Sequence, residues 1–242
     1  MRRPLALIGL FLLASLALTA CSSTTPPESA GPTAGPPVPP AADALGPYVL
    51  GIDVSRYQAA VNWADLRANG IGFVYLKASE GESVPNPYFE QHRQGATAAG
   101  MPWGAYHFFR PETPVETQIQ LFARALGSQT GDLPPVLDVE VDGGVPTDTL
   151  QARAVRMARA MEALTGRRPM VYAGAAFYRD RLAPALAPYP LWVAQYRDTL
   201  PDDDRWTVWQ FTDSARLRGV GNQPVSLSVF RGTPADLLRI GR

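Results

Sequence analysis

Residues 135–173 read PVLDVEVDGGVPTDTLQARAVRMARAMEALTGRRPMVYA. The stretch opens on a short apolar run, Pro135–Val141, and closes on another, Pro169–Ala173. Between them Leu150, Ala154, Met157, Met161 and Leu164 recur at helical spacing over Asp148–Leu164. Thr147 is placed to cap the start of that helix, and Gly166 sits just past its end. A strand, a helix and a second strand predict a parallel pair, because the helical crossover returns the chain to the same end of the sheet.

The same alternation runs outward in both directions. Further strands are predicted over Val49–Val54, Gly72–Ala78, Trp103–Phe109, Leu191–Tyr196, Thr207–Phe211 and Val225–Phe230. Helices are predicted over Trp63–Asn69, Pro87–Ala99 and Pro114–Leu126, each followed by glycine, with a shorter one over Ala175–Leu182. Five strand–helix units are thus followed by three strands without good helices between them. That pattern predicts an α/β fold, an irregular TIM-like barrel of (β/α)5 and three further strands. An open doubly wound sheet is the structural alternative. No glycine-rich phosphate loop follows the first strand, which counts against nucleotide binding.

Within the opening stretch, side-chain alternation puts Asp138 and Glu140 on one face and Leu137, Val139 and Val141 on the other. The apolar face can pack under helices, which leaves the acids on the barrel interior near its upper rim. Asp53 ends the first strand, and all parallel strand ends open on that rim, so it can join them. Crowded carboxyls differ in their proton affinity. Such a set suits glycoside hydrolysis, which needs a general acid and an anion that steadies positive charge on the sugar.

Of the 22 basic residues, 21 are arginine; Lys77, at the end of the second strand, is the one lysine. A compact ammonium among carboxylates is a role that a planar guanidinium does not fill, so Lys77 is expected in the acidic site. Tyr75, Tyr106, Tyr172, Trp192, Tyr196 and Trp209 lie near strand ends, where rings can stack on sugar faces or serve as core. His107 reads as a hydrogen-bonded core histidine, and His92 carries no signal.

The first 47 residues differ in kind. Arg2 and Arg3 precede an uncharged run from Leu5 to Ala20, too short to span a bilayer and suited to a signal peptide over residues 1–20. The run ends Leu18-Thr19-Ala20-Cys21, which looks like a bacterial lipobox, with lipid on Cys21 after cleavage. Ser22 to Pro47 holds eight prolines and no aromatic residue, so residues 21–47 are expected to be a lipidated cysteine and tether. Extended, the tether reaches about 80 Å. The expected location is the cell envelope, on the outer membrane or the outer face of the cytoplasmic membrane, with a domain over 48–242.

Composition narrows the function. The 242 residues carry 22 basic and 22 acidic side chains, so a nucleic-acid partner held by a basic surface is not expected. Two histidines and one cysteine leave no set for a multi-ligand zinc, haem or iron–sulfur site. No metal is expected, and a monomer is.

Six segments together resemble glycoside hydrolase family 25, the muramidases. They are Gly51-Ile52-Asp53-Val54-Ser55 with Gln58, Tyr75-Leu76-Lys77-Ala78-Ser79-Glu80-Gly81, Gly104-Ala105-Tyr106-His107-Phe108, Pro135-Val136-Leu137-Asp138-Val139-Glu140, Leu191-Trp192-Val193-Ala194-Gln195-Tyr196 and Trp209-Gln210-Phe211. The resemblance implies a β/α barrel and cleavage of the β-1,4 bond between N-acetylmuramic acid and N-acetylglucosamine in peptidoglycan, without a cofactor. It implies Glu140 as the catalytic acid. Asp138 would position the substrate's own acetamido group as an internal nucleophile, with Asp53 aiding electrostatics. Lys77, Tyr106, Tyr172, Trp192, Tyr196 and Gln210 are the expected substrate-binding residues.

One segment departs from the family. Where the family usually has Val-Asp-Leu-Asn, this chain has Val225-Ser226-Leu227-Ser228. A serine adds no negative field, so Glu140 is expected to rise less in proton affinity, with lowered activity or a shifted pH optimum. That departure keeps open a catalytically weak or inactive wall-binding lipoprotein, and the Asp-x-Glu pair of Asp138 and Glu140 keeps open a chitinase-like hydrolase of N-acetylhexosamine chains.

Overall fold

The computed structural model describes residues 37–242. The expected signal peptide, Cys21 and most of the tether lie outside the described residues. Among those described, no helix is long and apolar enough to cross a membrane.

A short helix α1 (Ala42–Leu45) precedes strand β1 (Tyr48–Val54) and helix α2 (Trp63–Ala68). Then come β2 (Ile71–Glu80), a two-residue β3 (Val84–Pro85), α3 (Phe89–Ala98), β4 (Trp103–Phe108), α4 (Val115–Leu126) and β5 (Val136–Asp138). The chain continues through α5 (Thr147–Thr165), β6 (Met170–Gly174) and α6 (Ala175–Phe177), which runs into π turns over Tyr178–Leu182. It ends with β7 (Leu191–Ala194), β8 (Trp206–Ala215), β9 (Val225–Arg231) and α7 (Pro234–Leu237).

The strand order is β1-β9-β8-β7-β6-β5-β4-β2-β3, and β1 also pairs with β2 in parallel, Asp53 opposite Tyr75. That pairing closes an eight-stranded barrel, with β3 a flap on the end of β2, and it overturns the open-sheet alternative. The last three strands follow one another without helices between them, as expected, but they do not all run the same way. β7 and β8 stay parallel to their predecessors, whereas β9 runs antiparallel to both β8 and β1.

Two shells of apolar side chains follow from strand alternation. Facing outward, Leu137, Val139, Val171, Val193 and Leu227 share an apolar shell with the surrounding helices, among them α5, whose Ala154, Met157 and Met161 are fully buried. Facing inward, Phe73, Tyr75, Val136, Met170, Trp192 and Val208 fill the barrel with Leu237 and Ile240 from the C-terminal segment. Two inward glycines make room for rings: a Cβ on Gly51 would lie 2.2 Å from the Phe73 ring, and one on Gly104 2.3 Å from that of Tyr75.

Several expectations are corrected. Thr147 is the first helical residue rather than the cap; Pro146 precedes the helix without a side-chain cap, and the Thr147 hydroxyl instead accepts from Arg181 Nε at 2.9 Å. The fourth predicted strand ends at Asp138 rather than Val141. Phe109 N–H and Val139 N–H make the last bonds on its two sides, and the chain then leaves the sheet. Within the expected tether, Leu45 is 4% exposed and belongs to the core. A leucine among prolines and alanines has apolar surface to bury, so packing starts before Tyr48.

Candidate active site

The upper rim of the barrel opens into a cleft of about 210 Å³ lined by Asp53, Asp138 and Glu140, with Tyr106, Tyr172, Tyr196 and Gln210 around them. Val136, Trp192 and Ser226 complete its walls. Strand register sets this layer: Asp138 lies opposite Tyr172 on β6, Asp53 opposite Ser226 on β9, and Gln210 opposite Ser228. Glu140 sits beyond its strand and is exposed, while Asp138 is buried. The pair therefore differs in solvent contact more than strict alternation implied.

A chain of side chains orients Asp53. Tyr172 Oη and Tyr196 Oη both donate to Gln210 Oε1, at 2.9 Å and 2.6 Å. With its oxygen occupied, Gln210 turns its amide nitrogen to Asp53 and donates to Oδ2 at 2.8 Å. These polar groups sit deep in the rim, where unmade bonds would be costly.

All three carboxyls hold protons more strongly than usual. Burial chiefly pushes Asp53 up to about 7; the Glu140 charge adds to it, and hydrogen bonds from Gln210 and Ser226 oppose it. Asp138 is raised well above the ordinary carboxylate range by burial, then by the charge of Glu140, with Lys77 opposing. Its Oδ1 is buried and meets no hydrogen-bond partner among the described residues. Glu140 is also raised, because the cleft walls strip water from its carboxyl even where its surface is open, against the pull of a hydrogen bond from Asp138 and the charges of Lys77 and Arg110. Burial thus acts more strongly on Asp138 than on Glu140, the more open of the two.

Lys77 is placed differently from the expectation. Its Nζ pairs with Glu80 Oε2 at 2.8 Å and lies 4.9 Å from the Phe108 ring, outside the lining of the main cleft. Arg110 holds the other oxygen of Glu80 and stacks on Phe108 at 4.7 Å. Lys77 still acts on Asp138 and Glu140 through its charge. Glu80 and Arg110 were missed because strict alternation puts residues 77 and 80 on opposite faces. A register irregularity between Lys77 and Ser79 in the β2–β4 ladder brings them together.

The aromatic residues divide. Tyr106, Tyr172 and Tyr196 line the cleft, and Tyr196, 51% exposed, presents the open ring. Trp192 is 2% exposed and donates to Ser228 Oγ at 3.1 Å, so it forms the floor rather than a stacking face. Tyr75 is enclosed in the barrel, its ring 4.9 Å from that of Trp192. Trp209 faces outward and donates to the Gln195 carbonyl. His107 is a core residue between the Ser79 hydroxyl and Gln118 Oε1, at 2.9 Å and 3.0 Å. Ser226 borders Asp53 in register, so the missing acid there is felt first by Asp53 rather than Glu140.

No group of three or more His, Cys, Asp or Glu among the described residues is arranged to hold a metal ion.

Three carboxyls on the rim of a closed barrel form an arrangement suited to glycoside cleavage, and the family follows from comparison. The model of Glycosyl hydrolases family 25 matches residues 52–220, and the chain belongs to that family. It is a glycoside hydrolase. It is 40% identical to the uncharacterized Escherichia coli (strain K12) protein YegX over 196 residues, 78% of this chain and 72% of that protein. It is 30% identical to Lysozyme M1 of Streptomyces globisporus, with 99% of this chain and 95% of that protein covered. Among solved structures, the bacterial lysozyme from Streptomyces coelicolor superposes with a TM-score of 0.71 at 30% identity, covering 80% of this chain and 96% of that one.

Proposed function

We propose that this chain is a lysozyme-type peptidoglycan hydrolase that cuts the β-1,4 bond between N-acetylmuramic acid and N-acetylglucosamine. The observation that carries this reading is the unequal pair at the end of β5: Asp138 is buried, and Glu140, just beyond the strand, is open to the same cleft. Glu140 gives its proton to the leaving glycosidic oxygen as the C1–O bond breaks. The carbonyl oxygen of the substrate's own acetamido group forms the new bond to C1, with Asp138 orienting that group. Water then opens the resulting ring, giving its proton back to Glu140. Asp53, steered by Gln210, supports the positive charge that develops at C1.

Family membership and the likeness to Lysozyme M1 support the substrate class. The test is incubation of the protein with purified peptidoglycan and mass analysis of the released fragments. Products with a reducing muramic acid end support the reading, and they should vanish in Glu140→Gln. Sedimentation with the wall without cleavage would favour the binding role that Ser226 leaves open. Faster cutting of chitin oligomers would favour the chitinase-like role.

We also propose export with lipid on Cys21, a tethered monomer in the envelope, on the strength of Leu18-Thr19-Ala20-Cys21 and the proline-rich stretch after it. An N-terminal mass without acyl chains would overturn the anchor.

A further inference from the structure

Beside the main cleft lies a second, narrower slot between the loop after β1 and the β3 flap. Its walls are Arg56 and Tyr57 on one side, Lys77 and Glu80 at the base, and Val84 and Pro85 on the other. A third pocket joins the two: it shares Asp53 and Ser226 with the main cleft, and Ser55 and Tyr57 with the slot. A chain lying across the rim acids therefore has the slot, with room of about 20 Å³ for the tip of a side branch, within reach along the joining pocket.

The charges differ along that route. The main cleft and the joining pocket carry Asp53, Asp138, Glu140 and Asp213. At the slot, Glu80 is the single carboxylate and is shared by Lys77 and Arg110, while Arg56 stands at the mouth. Glu80 is accordingly held below its usual range by those two cations despite its burial. Cations outnumber anions there, so the slot favours an incoming anion.

The cations also have capacity left. The Lys77 side chain is only 19% exposed, yet Glu80 is the one hydrogen-bond acceptor its ammonium meets among the described residues. Arg56 is poised over Tyr57, 5.3 Å from the ring, with one long bond to its hydroxyl at 3.4 Å. Around them Tyr57 and Val84 are 66% and 39% exposed, two of the few large apolar side chains on the surface. Two cations with unused donors beside an apolar wall suit a carboxylate carried on a short aliphatic or peptide branch.

We propose that this slot binds a carboxylate on the muramyl side branch of the substrate, through Arg56 and Lys77. The inference rests on the peptidoglycan reading above, and it makes the slot the feature that separates peptidoglycan from neutral N-acetylglucosamine chains. The carboxylate has two sources: the stem peptide, or the lactyl group once the peptide is removed.

The test uses the full chain carrying Glu140→Gln, so that ligands survive, and calorimetric affinity for three forms of one peptidoglycan glycan fragment. These are the peptide-bearing fragment, the fragment stripped by an amidase to its lactyl carboxylates, and a form with every carboxylate converted to methylamide. The methylamide form should bind about tenfold more weakly than the better of the other two, the scale of one charge-assisted contact. Whichever carboxylate form keeps the affinity identifies the source. Adding Arg56→Gln should shrink the preference to under about threefold, Arg56→Lys should keep most of it, and Arg124→Gln on the exposed side of α4 should keep all of it. Equal affinities for the three forms, or a preference untouched by Arg56→Gln, would overturn the proposal. Turnover of the same fragments by the unsubstituted chain is scored separately. Cleavage without preference removes the slot and leaves the hydrolase; preference without cleavage does the reverse.

Discussion

Gln210 donates from its amide nitrogen to Asp53 Oδ2 at 2.8 Å, and it can do so in one orientation only, because Tyr172 and Tyr196 both donate to its oxygen. Four residues from β1, β6, β8 and the loop after β7 thus act as one unit, and the carboxyl at its end is pushed up to about 7. Gln210→Leu removes the donor that opposes this rise and strands two tyrosine hydroxyls. Asp53 should then titrate higher, and stability should fall by about 1–3 kcal/mol. The pH profile of kcat/KM and thermal unfolding check the two effects independently.

Glu140→Gln should lower kcat on peptidoglycan about 10²- to 10⁴-fold, the usual weight of a general acid. Its side chain is exposed beyond the end of β5, so the melting temperature should barely move. A matching loss of both would mean that the substitution had damaged the barrel rather than the chemistry.

Stability should depend on pH through Asp53 in a definite direction. Its proton affinity is raised on folding, so its favourable contribution is complete below about pH 4 and is lost as pH rises through 7. Asp53→Asn removes that loss. At pH 8 the variant should be more stable by about 2 kcal/mol, a figure lowered from the full shift because the cleft meets water. Below about pH 4, where Asp53 is protonated in the folded and unfolded chain alike, the two proteins should melt together, and by pH 5 part of the gap should already be open. His107 works the other way: burial holds it down to about 4, so its contribution is present above pH 6.5 and lost as pH falls toward 4. Melting curves across pH 4 to 8 resolve both limbs.

Lys77 lowers the proton affinity of both Asp138 and Glu140 through its charge. Lys77→Met keeps the length of the side chain and removes the cation, so both carboxyls should hold protons to higher pH. The alkaline limb of kcat/KM should move up by about half a unit or more, and Lys77→Arg should shift it less. An unmoved limb in Lys77→Met would show that Glu80 neutralises the lysine completely.

Much of this molecule was legible in one dimension. Alternation in Val136-Leu137-Asp138 placed an acid on the inner face and leucine on the outer, and helical spacing in α5 placed Ala154, Met157 and Met161 in the core. The five strand–helix units and the three further strands were readable because periodicity is a local property. Asp53, Asp138 and Glu140 could be grouped because parallel strands end on one rim. The short β3 and α7 escaped notice, although Thr233 and Asp236 form a capping box around Pro234 that could have marked the latter.

What the chain's order could not show depends on register and closure. The irregularity after Lys77 turned Glu80 onto the lysine's face, and the β1–β9 pairing set Ser226 against Asp53 rather than Glu140. The β1–β2 pairing made a barrel where strand counting also allowed an open sheet. Hydrogen bonds between strands far apart in sequence choose these neighbours, and no local pattern encodes them. Residue types and periods determined which groups reach the rim, whereas the tertiary fold decided which of them share a proton, a charge or a wall.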